Sequence, residues 1–236
     1  MRISVFQPHM LPCLYYFNRM FSVDTFILLD GAQFTKKSLN GEAFQNYTFV
    51  KAIDGQKRKL TVPVKHDGNR YAIKDKPLAD EWHIHILKEL EQVYSKEPYY
   101  DWLMNKLTYN WLELTKPGTT LSQLTVKWIS QISYNLGLED AGKKLVLNSE
   151  LEVPGKASEW MLNFCKHYKA ETYVCGKAAY DQYLDKKAFE DAGIKIEVQN
   201  WKCPEYEQGK FPFVPNLSIV DALFRHGPHK AKEIIS

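Results

Sequence analysis

Ile3-Ser4-Val5-Phe6-Gln7-Pro8-His9-Met10-Leu11-Pro12 is the stretch whose reading decides the fold. Ile3 to Phe6 is a short apolar strand, and the prolines that follow end it. Pro8 holds Gln7 in extended geometry, whereas Pro12 can open a helix, because its missing N–H is not needed in a first turn. Leu14 to Ser22 reads as that helix, with Leu14, Phe17 and Phe21 on one face. Asp24 then precedes a second strand, Thr25 to Leu29, which ends in Asp30. Strand, helix and strand within about 30 residues make a βαβ unit, with parallel strands and a right-handed crossover expected. Ligands of such sheets gather at the carboxyl ends of the strands. The loop after Phe6 and Asp30 therefore share one rim.

Working outward, Phe44 to Val50 and Lys59 to Val64 alternate apolar with polar residues around the turn chemistry of Ile53-Asp54-Gly55-Gln56. They predict an antiparallel hairpin. From Asp80 the period becomes helical: Trp82, Ile86, Leu90, Val93 and Tyr94 recur at three and four until Pro98. Tyr100 to Leu114 and Leu121 to Leu136 are further amphipathic helices, divided by Lys116-Pro117-Gly118. The α/β pattern then returns. Leu145 to Leu147, Glu171 to Cys175 and Ile194 to Gln199 read as strands; Lys156 to Lys169, Phe189 to Ala192 and Ser218 to Arg225 read as helical. The expectation is one α/β domain over residues 1–236, with an open, mostly parallel sheet, a hairpin excursion at 42–66 and a helical insertion at 80–137.

Composition bounds the function. The chain has 236 residues, 44% of them hydrophobic and 14% aromatic, which supplies a continuous core. With 31 basic and 28 acidic residues the formal charge is +3, too mild for a nucleic-acid surface, so no DNA partner is expected. Gln7, Pro8 and His9 interrupt the first apolar run, so no signal peptide is expected, and no segment is long enough to span a bilayer. The four cysteines form no Cys-x-x-Cys pair. Reduced thiols in a cytoplasmic protein, without a metal site, are the expectation.

Several constellations could carry chemistry. His9 stands where a helix begins; free N–H groups there attract anions, and an imidazole can donate to a developing charge. A solvated turn is the plainer reading. Asp30 ends a very apolar strand, as a cap or as a ligand group, and Lys36 and Lys37 could neutralise a phosphate. His83 and His85, two apart on a predicted helix, do not share a face, so a metal pair is disfavoured. Pairing of His85 with Glu89 explains that histidine as well as a base would. In Val174-Cys175-Gly176-Lys177, Gly176 lets the backbone approach a ligand. Neither the phosphate-loop nor the dinucleotide fingerprint is present. Cys175 has no identifiable base and reads as a buried thiol.

Taken in order, these segments resemble the WbqC-like family of bacterial proteins. The resemblance rests on four blocks. The first is Val5-Phe6-Gln7-Pro8 to Leu11-Pro12 and Tyr16-Phe17, with Asp24, Asp30, Gln33-Phe34 and Lys36. The second is Leu60-Thr61-Val62-Pro63-Val64, and the third is His85, Leu87, Tyr94 and Pro98-Tyr99-Tyr100. The fourth runs from Ala170-Glu171-Thr172-Tyr173 to Gly176, with Tyr183-Leu184-Asp185, Phe213-Val214-Pro215 and Leu217-Ser218-Ile219-Val220-Asp221. Two positions depart from the pattern: Tyr47 stands where relatives tend to have an arginine after Asn46, and Tyr15 where they often have glycine.

The resemblance implies acyl or aminoacyl transfer, glycyl included, to the amino group of a nucleotide-linked amino sugar. The setting it implies is surface-polysaccharide (O-antigen, lipopolysaccharide) biosynthesis. The first βαβ unit is also similar to that of HIGH-motif nucleotidyltransferases, which implies a Rossmann-like, nucleotidyltransferase-like fold and ATP with Mg to activate a small carboxylate. Pro12 stands where the motif's second histidine would be. On these resemblances His9, His85 and Asp30 are the candidate catalytic groups. Gln7, Pro8, Gln33, Lys36, Asn46, Tyr94, Gly176 and Asp185 are the candidate substrate- or nucleotide-binding groups. A donor in the form of a thioester or charged tRNA, and a non-catalytic nucleotide-sugar binder or assembly protein, are the alternatives.

Overall fold

The structure is a computed structural model and describes residues 1–35, 43–66, 70–109, 111–139 and 142–236. Its elements run β1 (Arg2–Phe6), α1 (Leu14–Phe21), β2 (Thr25–Leu28), β3 (Tyr47–Lys51), β4 (Lys57–Thr61), α2 (Trp82–Tyr94), α3 (Tyr100–Leu107) and α4 (Trp111–Leu114). They continue with α5 (Leu121–Asn135), β5 (Lys144–Leu147), α6 (Ala157–His167), β6 (Thr172–Cys175), α7 (Lys177–Gln182), α8 (Lys186–Asp191), β7 (Lys195–Val198) and α9 (Ile219–Ile235).

Five strands form a parallel sheet in the order β5-β2-β1-β6-β7, and β3 pairs with β4 as an antiparallel hairpin. The expected Rossmann-like α/β architecture is therefore present. Strand periodicity sorts the core into two layers. Ile3, Val5, Ile27, Tyr173 and Cys175 pack with Met161, Phe164 and Cys165 of α6 and Phe189 of α8. Phe26, Leu28 and Val174 pack on the opposite side with α1, α9 and the helices of residues 82–135. Chain order reverses at β1: β2 and β5 lie to one side, β6 and β7 to the other. Such a reversal opens a crevice at the carboxyl ends of the central strands.

Four segments differ from expectation. The helix expected over Tyr100 to Leu114 is two: Thr108 ends α3, its N–H and Oγ1 both donating to the Met104 carbonyl. The hairpin pairs Tyr47 with Thr61 and Lys51 with Lys57 rather than spanning Phe44–Val50 and Lys59–Val64. Phe44 is in the left-handed region at φ 53, Pro63 has no N–H to give a ladder, and Val64 bridges to Leu78. The short helix α7, directly after Gly176, was not anticipated. The last helix runs on to Ile235, past the Gly227-Pro228 break. Gly227 adopts φ 74 with Tyr99 where a Cβ would stand, and Pro228 suits the first turn of the resumed helix. No helix among the described residues is long and apolar enough to cross a membrane.

Candidate functional site

The turn from Gln7 to Pro12 is tied down on every side. Pro8, His9, Met10, Leu11 and Pro12 are all buried. Met10 N–H donates to the Phe44 carbonyl, and Ile219 N–H donates to the Pro12 carbonyl. The Leu11 carbonyl accepts from Thr48 Oγ1 at 3.0 Å and from Ser218 Oγ at 2.7 Å. Leu11 itself is left-handed at φ 42. That conformation costs a leucine about 1–2 kcal/mol and persists only where surrounding contacts over-determine it. The hairpin and the N-cap of α9 supply those contacts. The turn is thus a junction of three distant segments at the carboxyl end of β1.

Gln7 is half-buried; its Oε1 accepts from Gln45 Nε2 at 2.9 Å and its carbonyl from Tyr16 Oη at 3.0 Å. Gln45, fully buried, accepts the Thr35 N–H at 2.8 Å and donates a long 3.5 Å bond to the Gln33 carbonyl. Gln7 and Gln33 are therefore linked through Gln45, although the Gln33 side chain is exposed.

His9, 5% exposed, is edge-on to Phe6 at 4.9 Å and tilted against Tyr16 and Phe44 at 5.4 and 5.6 Å. Its Nδ1 is buried without a hydrogen-bond partner among the described residues. Burial, reinforced by the charge of Arg19, lowers its pKa to about 3. It is neutral at physiological pH.

Arg19 reaches the same place from α1. Its guanidinium lies 4.6 Å from the Phe6 ring centroid, and Nε and Nη2 donate to Gln199 Oε1 at 2.9 and 2.7 Å. A Cβ on Gly176 would stand 2.7 Å from Nη2. The space that glycine opens beside the backbone is filled by this side chain. Cys175, one residue earlier, is buried, and burial pushes its thiol up to about 11 despite the opposing pull of Arg19.

Asp30, Asn46, Tyr94 and Asp185 have partners of their own. Asp30 is buried, with Oδ1 accepting the Ser149 N–H at 3.0 Å and Oδ2 accepting Ser149 Oγ at 2.7 Å, so it joins the ends of β2 and β5. Asn46 donates to the Val62 carbonyl at 2.9 Å and secures the base of the hairpin. Tyr94 Oη donates to Asp221 at 2.9 Å, in a network with Tyr206, Arg225 and Glu97. Asp185 is exposed and caps α8 by accepting the Ala188 N–H. His85 is exposed on α2, and the nearby Glu89 pairs with Arg58. Lys36 and Lys37 lie outside the described residues. The structure thus gathers Gln7, His9 and Gly176 around Phe6 and Arg19, while Tyr94 and Asp185 serve other contacts and His85 is exposed on α2.

Arg19, Gln45 and Gln199 are absent from the residues singled out in sequence. Arg19 left one signal. It occupies the same helix face as Tyr16 and Met20, where the pattern calls for an apolar residue. Gln199 and Gln45 left none, since nothing local shows which side chain each will meet. Concavities at the sheet's outer edges, one of about 350 Å3 between α5 and β5, share no lining residue with this cluster.

By architecture the chain is a parallel α/β protein whose strand order reverses at β1, with His9 and Arg19 buried beside the ends of its central strands. The WbqC-like protein family model matches residues 7–233, and the chain belongs to that family. It is 27% identical over 229 residues to an uncharacterized Mycobacterium tuberculosis protein, Rv1507c, covering 96% of this chain and 94% of that one. No solved structure matches the chain with significance.

Proposed function

We propose that the protein transfers an acyl or aminoacyl group, such as glycyl, to the amino group of a nucleotide-linked amino sugar bound at the switch point. The observation that carries this reading is His9, a neutral imidazole beside the end of β1 whose buried Nδ1 has no partner among the described residues. As the sugar amine attacks the acyl carbon, a C–N bond forms and the bond to the leaving group breaks. The amine must also lose a proton, which an unprotonated imidazole can take and pass to the leaving group. Burial and the charge of Arg19 keep His9 weakly basic; an anion beside Arg19 would cancel the second of these causes.

The activating partner is a separate question. Among the described residues no three His, Cys, Asp or Glu side chains gather as a metal-ligand set, and Asp30 has both oxygens engaged. These residues do not fit a resident magnesium ion, so ATP enters the proposal only as a co-substrate. A second reading, nucleotide-sugar binding without turnover, is favoured by the engagement of Asp30 and the exposure of His85, which leave His9 without an assisting base.

The test is to incubate the protein with uridine- and deoxythymidine-linked amino sugars and glycine plus ATP, a glycyl thioester or glycyl-tRNA. The acylated sugar is read by mass spectrometry. Product from at least one donor, reduced about 10²–10⁴-fold by His9→Gln, is the expected result. Nucleotide-sugar binding without product from any donor favours the binder instead, and no binding at all refutes both.

A further inference from the structure

We propose that Arg19 is an oxyanion-binding residue at the switch point, taking a phosphate or carboxylate group of the ligand on the edge of its guanidinium that Gln199 leaves free. This rests on the switch point being a ligand site, as the transfer reading does, and on nothing in the transfer chemistry.

Arg19 differs from the other buried or half-buried arginines in its charge environment. Arg19 is 7% exposed, and no carboxylate among the described residues forms an ion pair with it. The two other arginines that are half-buried carry carboxylate partners, whereas the buried lysines Lys51 and Lys76 are held by backbone carbonyls. Arg225 meets both Asp221 and Glu97, and Arg2 meets Glu197. Lys51 Nζ donates to two carbonyls, and Lys76 Nζ donates to one and lies over the Tyr71 ring. The groups around Arg19, by contrast, are Tyr15, Tyr16, Tyr173 and Cys175, which are neutral at physiological pH. A buried cation without a counter-charge is costly, and the fold retains it here.

The side chain is also held in a fixed pose. Gln199 Nε2 donates to the Tyr15 carbonyl at 2.9 Å and to Asn18 Oδ1 at 2.7 Å, so the amide can turn only its oxygen toward Arg19. That oxygen takes Nε–H and one Nη2–H. Of the five guanidinium protons, both on Nη1 and the second on Nη2 have no protein acceptor among the described residues. Those two nitrogens present the parallel pair of donors that matches two oxygens of one phosphate or carboxylate. Phe6 closes one side of the group, and Gly176, by lacking a Cβ, lets the guanidinium lie close against the end of β6. Phe6 and Gly176 mark the ends of the two strands between which the chain order reverses.

The test uses inorganic pyrophosphate and sodium acetate as probes, each titrated calorimetrically against sodium chloride at equal ionic strength. Saturable binding of one probe is expected. Arg19→Met should weaken it at least about 30-fold, and Arg19→Lys, which keeps the charge but not the paired donors, by an intermediate factor. Pyrophosphate binding identifies a phosphate-bearing ligand, and acetate binding a carboxylate. If Arg19→Met does not fold, the Arg19 Nε–H resonance of the wild type, assigned by its loss in Arg19→Lys, should move with the bound fraction. Neither probe saturating, Arg19→Met binding like the wild type, or an unmoved Arg19 resonance overturns the inference. Arg19-dependent binding with no acylated sugar from any donor refutes the transfer reading alone.

Discussion

Replacing His9 with leucine should flatten the acid limb of the protein's stability curve. The imidazole is enclosed by Phe6, Tyr16 and Phe44, and burial first, then the charge of Arg19, lowers its pKa from 6.5 to about 3. Unfolding returns it to water and to its ordinary value. Between the two values the unfolded chain binds a proton that the folded chain does not, so the free energy of unfolding falls as the pH falls. This contribution is complete above 6.5, is lost progressively below it, and is gone near pH 3. Each pH unit in that window is worth about 1.4 kcal/mol, so moving from about pH 7 to about pH 5 removes roughly 2 kcal/mol from the wild type. Leucine carries no such proton, and the other titrating groups are common to both proteins. Urea unfolding of the pair at about pH 7, 6 and 5 therefore isolates His9. The stability difference should move by about 2 kcal/mol in favour of the variant between the end points, whatever leucine does to packing. A movement under about 0.5 kcal/mol would show that His9 is not a buried neutral imidazole, and would remove the group on which the transfer reading rests.

Two further outcomes follow from the same geometry. Gln45→Leu strands the Thr35 N–H and Gln7 Oε1 and should lower the free energy of unfolding by about 2 kcal/mol in denaturant titration; unchanged stability would mean that the Gln7–Gln45–Thr35 chain is not formed. In the native protein a thiol-reactive chromophore should label Cys203 first, while Cys13, Cys165 and Cys175 react only as fast as the fold opens. All three are buried, with thiols pushed up to about 12, 12 and 11. Rapid labelling of Cys175 would instead mark it as an accessible group on the rim.

The first βαβ unit is legible in sequence because its signals are local. Proline restricts its own neighbourhood, apolar alternation has the period of a strand, and Leu14, Phe17 and Phe21 have the period of a helix face. The hairpin's existence is legible for the same reason. Its register is not, because the left-handed Phe44 and the bridge from Val64 to Leu78 depend on partners outside the hairpin. The last helix reads as Ser218 to Arg225, and the Gly227-Pro228 break beyond it proves to be a kink, since Pro228 can restart a helix when the turn before it packs against Tyr99.

The candidate site divides along the same line. Sequence by itself determined that the turn after Phe6 lies at the carboxyl end of a parallel strand, on one rim with Asp30, because strand direction and connection length leave few alternatives. Tertiary structure alone decided what the rim's side chains do. Asp30 is bound to Ser149, 119 residues on, and Arg19 is clamped by Gln199, 180 residues on. Arg19 is visible in the sequence as a charge on an apolar helix face. Whether such a charge is neutralised or left open to a ligand depends on which distant side chains the sheet order brings beside it, and here that order delivers an amide oxygen and a glycine but, among the described residues, no carboxylate.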